Sequence, residues 1–158
     1  MSDLNQRLRD FLKGTRFEEV EHGETLTCED SAAARGKDKR IGGKTLLLKD
    51  KSGFRLFTMS AALEFDSQKA RRILSSQKLR FATQEELKDL TGAVSGALPP
   101  FGRPVQDLDL YVDQSVLDNE EIAFNAGLLT CSFIMNTKEW FELVGPHATL
   151  SSFTKESL

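Results

Sequence analysis

Two short stretches of this chain could do chemistry. The first is Gly42-Gly43-Lys44-Thr45 ahead of three leucines, where a lysine ammonium at a strand start could hold a phosphate. It is not a phosphate-binding loop of the nucleotidase kind. The leading glycine of that motif would fall at position 38, which is Asp38, and an apolar strand follows instead of a helix. The second stretch is Gly96-x-x-x-Pro100, set in a run of glycines and prolines from Thr91 to Gly102. So many breakers dictate a rigid turn, and a rigid turn can present backbone N–H groups to a carbonyl or oxyanion without using a side chain. Other signatures are missing. There is no GxSxG, no HExxH and no GxxxxGK[ST], His22 and His147 lie far apart, and Cys28 and Cys131 form no CxxC or Cys/His cluster.

The elements that must carry these stretches follow from periodicity. Leu4, Leu8, Phe11 and Leu12 mark an amphipathic helix ending at Gly14. Phe17 to Glu21 alternates as a strand, and Thr27 with Asp30 opens a helix running to Gly36. Arg35 to Gly43 reads as a polar loop. Lys44–Lys49 and Phe54–Met59 flank Asp50-Lys-Ser-Gly53 as a hairpin with one of the longer glycine-bearing turns. Ser67 caps a helix through Ala70, Ile73 and Leu74, and Thr83 with Glu86 forms a capping box before Leu87 and Leu90. Three short strands follow, Leu108–Val112, Ile122–Asn125 and Ser132–Met135, then a helix capped at Asn136 or Thr137 that carries Trp140, Phe141 and Val144. This order predicts an α+β fold in one domain over residues 1–158, not a regular βαβ alternation.

The chain has 21 basic and 24 acidic residues, a net charge of -3, and 39% apolar residues, enough for one core without staples. That balance does not announce a nucleic-acid binder, but its distribution is uneven. Arg35 to Lys51 is net +5, and the chain from Pro104 onward is net -7. The cysteine usage fits a reducing cytoplasm, and no apolar run approaches the roughly 18 residues of a membrane span. No metal, cofactor, membrane or DNA partner is expected.

Taken in order, these residues resemble the YbaK/prolyl-tRNA synthetase-associated domains, trans-editing deacylases of mischarged aminoacyl-tRNA. The resemblance runs over nearly the whole chain: His22, Thr27-x-Glu29, Lys44-Thr-Leu-Leu-Leu, Thr91-Gly92, Gly96-x-x-x-Pro100 with Gly102, Asn125-Ala-Gly127 and Ser132–Met135. It implies a mixed α+β fold built on a curved, barrel-like sheet flanked by helices, binding the acceptor end of a tRNA. It implies that Lys44 contacts a phosphate of the terminal adenosine and that Gly96 and Ala97 position the carbonyl and the hydrolytic water. The terminal ribose hydroxyl helps activate that water, so neither a triad nor a metal is required. Thr45, Leu98, Pro99, Pro100, Gly127, Cys131 and His22 are the implied substrate-binding residues, and Lys37, Lys39 and Arg40 the candidate tRNA contacts.

Departures from the family pattern bear on specificity. Pro99 stands where relatives often carry a small polar residue, Thr45 where others carry asparagine, and Cys131 where some place a histidine or an aliphatic residue. Cys131 reads as a small buried residue and not a nucleophile, and His22 as a core hydrogen-bonding group ahead of a pocket-shaping one. The expected activity is hydrolysis of mischarged tRNA(Pro), alanine first and cysteine or serine next, with prolyl-tRNA synthetase or an elongation factor as auxiliary partner. The alternatives are a non-catalytic tRNA-binding or synthetase-associated module and, behind it, a small-molecule binding protein using the same pocket.

Overall fold

In the computed structural model, which describes residues 3–155, Leu4 and Leu8 are the buried stripe of helix α1 (Asp3–Phe11), with Leu12 buried just beyond its end. This helix lies against a three-stranded antiparallel sheet in the order β1 (Glu18–Glu21), β7 (Cys131–Asn136), β6 (Glu121–Leu128). A second sheet of five strands runs in the order β4 (Leu79–Phe81), β2 (Gly43–Asp50), β3 (Gly53–Ser60), β5 (Asp109–Asp113), β8 (Ala148–Ser151). It is mixed: β2 pairs antiparallel with β3 and β4, whereas β3–β5 and β5–β8 are parallel. The two sheets meet at a bridge between Gly42 and Ala123, so the curved sheet expected from the sequence is divided in two. The mixed α+β class holds.

Side-chain caps set the helices. Thr27 accepts from Asp30 N at the start of α2 (Cys28–Arg35), and Thr83 and Glu86 close a full capping box on α4 (Gln84–Thr91). Asn136 caps α6 (Thr137–Val144). The cap of α3 (Ser67–Leu74) is Asp66 and not Ser67, because the Asp66 carboxylate accepts from both Gln68 N and Lys69 N. Sequence periodicity missed β4, β8 and the one-turn helix α5 (Gln114–Leu117), each too short to show a period. The polar loop before β2 contains a 3-10 turn, Lys39–Ile41.

The β2–β3 turn is shorter than expected. Asp50 pairs directly with Gly53, leaving Lys51 and Ser52 as a two-residue connection. Asp50 Oδ1 accepts from Ser52 N at 2.7 Å and Gly53 N at 3.0 Å, which supplies the partners a longer loop would have found elsewhere. At the other end of β2 the chain passes so close to β6 that a Cβ on Gly43 would lie 2.7 Å from Ile122 Cδ1. The Gly42-Gly43 pair therefore serves the junction of the two sheets, and delivers Lys44 to the space between them.

Candidate active site

That space is a cavity of about 450 Å³. One wall is α2 with the segment before it, the second is the start of β2, and the third is the turn at Ser95, Gly96 and Leu98, with Asn125 of β6 at the base. Lys44 and Gly96, far apart in sequence, thus face one cavity. Thr45 and Lys39 also line it; Thr45 is buried, its hydroxyl 2.8 Å from that of Thr58. Exposed Leu26 and Phe81 stand in its wall as apolar surface.

The Gly96 to Pro100 turn is held by its carbonyls. Asn125 Nδ2 donates to Gly96 O at 2.8 Å, Gly127 N to Ala97 O at 2.9 Å, and buried Trp140 Nε1 to Pro100 O at 3.1 Å. A trans peptide points its N–H opposite its C=O, so tying Ala97 O to β6 turns Leu98 N–H the other way, toward the cavity that Leu98 lines. Gly96 has φ +88°, the left-handed region a side chain disfavours, which makes the glycine a requirement of the turn. The N–H of Ala97 is not available: it donates to Val94 O at 3.0 Å. Among the described residues the N–H groups of Gly96 and Leu98 make no hydrogen bond. Ala97, Pro99 and Pro100 are buried behind the turn and shape it without lining the cavity.

Three other sequence candidates lie elsewhere. Gly127 holds the turn from behind through its N–H. Cys131 and His22 line a separate cleft of about 370 Å³ with Asn5 and Arg9. Cys131 faces α1, since β7 alternates and Ser132 takes the cavity side; burial raises its thiol to about 11, and neighbouring Glu19 adds to the shift. It is not a thiolate at neutral pH. His22 Nε2 lies 2.8 Å from Ser132 Oγ and Nδ1 2.8 Å from Gly23 O, so its ring is held in hydrogen bonds.

Two lysines of the basic stretch are neutralised by ion pairs. Lys39 pairs with Glu29, and Lys37 with Glu121 at 2.9 Å, while Arg40 is exposed. Lys44 has no ion pair or side-chain hydrogen bond among the described residues, which leaves its ammonium open to a ligand. Sequence reasoning passed over Arg35. Its Nε donates to Ser132 Oγ at 2.9 Å and its Nη2 to Asn125 Oδ1 at 3.1 Å, but no carboxylate among the described residues pairs with it. Burial lowers it to about 10, still a cation at neutral pH. Among the described residues no aspartate or glutamate lines the cavity, and no group of three His, Cys, Asp or Glu side chains could hold a metal. No described helix is long and apolar enough to cross a membrane. The cavity is an electropositive recess with the Leu98 N–H turned toward it from one wall.

Residues 22–143 match the family model of the aminoacyl-tRNA editing domain. The chain is 33% identical over 152 residues to the multifunctional Ser/Thr-tRNA deacylase ProXp-y of Escherichia coli, covering 92% of this chain and 90% of that one. It is 31% identical over 103 residues to a proline–tRNA ligase of Shouchella clausii, 65% of this chain and 18% of that protein. A solved structure described as a candidate trans-editing enzyme for prolyl tRNA synthetase superposes with a TM-score of 0.85 at 29% identity, covering 99% of both chains.

Proposed function

The chain belongs to the aminoacyl-tRNA editing domain family, and from that membership we propose that it is a freestanding trans-editing deacylase whose preferred esters are seryl and threonyl. The observation that carries the reading is the meeting of Lys44 and the Gly96–Leu98 turn across one cavity that no carboxylate among the described residues lines. A 3′-terminal nucleotide brings a phosphodiester for the Lys44 ammonium and an ester carbonyl for the N–H groups of Gly96 and Leu98. Exposed Phe81 offers a face on which an unpaired base can stack. Water attacks the carbonyl carbon, the oxyanion forms against the two N–H groups, and the C–O bond to the ribose breaks. The neighbouring ribose hydroxyl relays the water's proton, taking it up while giving its own to the departing ribose oxygen, so the products are the free amino acid and the ribose alcohol and the protein needs to supply no base.

Serine moves ahead of alanine for two reasons. The relative that aligns over nine-tenths of this chain is named for Ser and Thr, and the cavity carries polar side chains at its base, Asn125, and on the α2 wall, Thr25 and Ser31. The stretch shared with a proline–tRNA ligase supports tRNA(Pro) as one carrier and a synthetase as auxiliary partner. An elongation factor has no support in these likenesses.

The test is deacylation of seryl-, threonyl-, alanyl-, cysteinyl- and prolyl-tRNA by the wild type and Lys44→Ala. Seryl and threonyl esters are expected to be cleaved, prolyl spared, and Lys44→Ala to lose about 100-fold or more, the scale of one preorganised charge contact. Wild-type rates equal to spontaneous hydrolysis across the panel, with the tRNAs still bound, would instead establish the non-catalytic binding module.

A further inference from the structure

Arg35 is the one cation of the cavity wall whose geometry is fixed on two sides. Ser132, fully buried, holds Nε, and Asn125 holds Nη2. The Asn125 amide cannot be turned over, because its Nδ2 is committed to Gly96 O, so its oxygen must face the guanidinium. This leaves Nη1 as the free edge. It makes no hydrogen bond among the described residues and points to the start of β2, where a Cβ on Gly42 would lie 3.6 Å from it. Gly42 lines the cavity.

A guanidinium recognises phosphate or carboxylate with two parallel nitrogens, but here the fork is occupied by protein oxygens and a single nitrogen remains. Nη1 keeps both of its N–H groups, either of which can meet a lone pair of a small oxygen ligand. The substrate's α-ammonium is repelled from this wall, since Arg35 and Lys44 are both cationic and no carboxylate lines the cavity. What enters beside Arg35 is therefore the other substituent of the α-carbon. We propose that Arg35 is a specificity-determining residue, its Nη1 donating to the side-chain hydroxyl of the seryl or threonyl ester. The inference rests on the deacylase reading above and adds to it the group that selects the amino acid. An alanyl or prolyl ester leaves this donor desolvated and unpaired, and a site built to bond a hydroxyl rejects the analogue lacking it.

The test compares wild type, Arg35→Met and Ser132→Ala on seryl-, threonyl- and alanyl-esters of one tRNA, with circular dichroism to check folding. Arg35→Met should lose about 10- to 100-fold in kcat/KM on the hydroxyl-bearing esters and little on alanyl, the size of one hydrogen bond to a charged group. Ser132→Ala, which frees Nε and also removes the Ser132 hydroxyl's contacts with Asn125 Oδ1 and His22 Nε2 while leaving the Arg35 charge in place, should shift the seryl-to-alanyl ratio in the same direction by less, and decides the matter if Arg35→Met does not fold. An equal loss on all three esters, or an unchanged ratio in both variants, overturns the assignment. Failure of the wild type on every ester is a different result and overturns the deacylase reading first.

Discussion

Arg9 and Arg35 lie against neighbouring residues of one strand, Cys131 and Ser132, on its opposite faces. Arg9 is compensated. It forms a two-pronged pair with Glu19 at 2.6 and 2.9 Å, donates to Asn5 and stands 5.2 Å over the Phe133 ring. The bond to Glu19 raises its pKa, whereas burial without an acid lowers that of Arg35 to about 10. The linkage signs are opposite. A base that folding makes a weaker proton acceptor opposes folding while charged, so Arg35 works against stability at all pH values below about 10, and the opposition fades only as pH rises beyond that. Arg9, locked to a β1 carboxylate, ties α1 to its sheet, whereas Arg35 carries its charge in the cavity wall with no carboxylate partner among the described residues.

The contrast can be broken by giving Arg35 an acid of its own. Ser31 lies one helical turn earlier on α2 and lines the same cavity, so Ser31→Glu places a carboxylate at i,i+4 to the guanidinium. Deacylation of the preferred ester is expected to fall about 100-fold, whereas Ser31→Gln, of equal size and no charge, should fall by less than a tenth of that. Equal losses in the two variants would show that volume, not charge, matters there. Next in size is Arg9→Met, expected to cost about 1–2 kcal/mol through the lost pair and ring contact, and to leave the ratio of seryl to alanyl cleavage unchanged. Denaturant melts with parallel kinetics check this, and a changed ratio would mean that the two faces of β7 are not independent. The smallest effect is far from both. Arg80 first, then the Thr83 N–H, hold Glu86 down to about 2. A depressed carboxylate contributes stability above its unfolded value, so the α4 cap should be undiminished at neutral pH and lost from about pH 4.5 down to 2. Wild type and Glu86→Gln should therefore differ in Tm at pH 7 and converge near pH 2.

Local rules were legible in the sequence because they involve near neighbours. The Thr27, Thr83 and Asn136 caps, the β2–β3 hairpin and the breaker-rich turn are set within a few residues of chain. Lys44 and Gly96 stood out by type and spacing, and both line the cavity. What stayed hidden depends on distant pairings. Arg35 reads as one more residue of a basic loop until Asn125 and Ser132, 90 and 97 positions away, take two of its nitrogens. Ala97 looked like an N–H donor until the turn spent that group on Val94 and offered Leu98 instead. Cys131 fell on the α1 side because side chains alternate along β7, and His22, just past β1, lines the same separate cleft while its ring is spent on Ser132 and Gly23, a matter of register that the motif alone does not carry.

The turn tethered through its carbonyls has an evolutionary consequence. Donors that belong to the main chain are shared by every sequence able to make the turn, so no single side-chain replacement other than proline can delete the N–H of Leu98. Lineages that keep the scaffold of Asn125, Gly127 and Trp140 can exchange residues such as Arg35 or Ser31 without rebuilding the hydrolytic apparatus. Substrate choice is then free to drift faster than the reaction itself, and one ancestral hydrolase can give rise to a set of paralogues that each guard the genetic code against a different error.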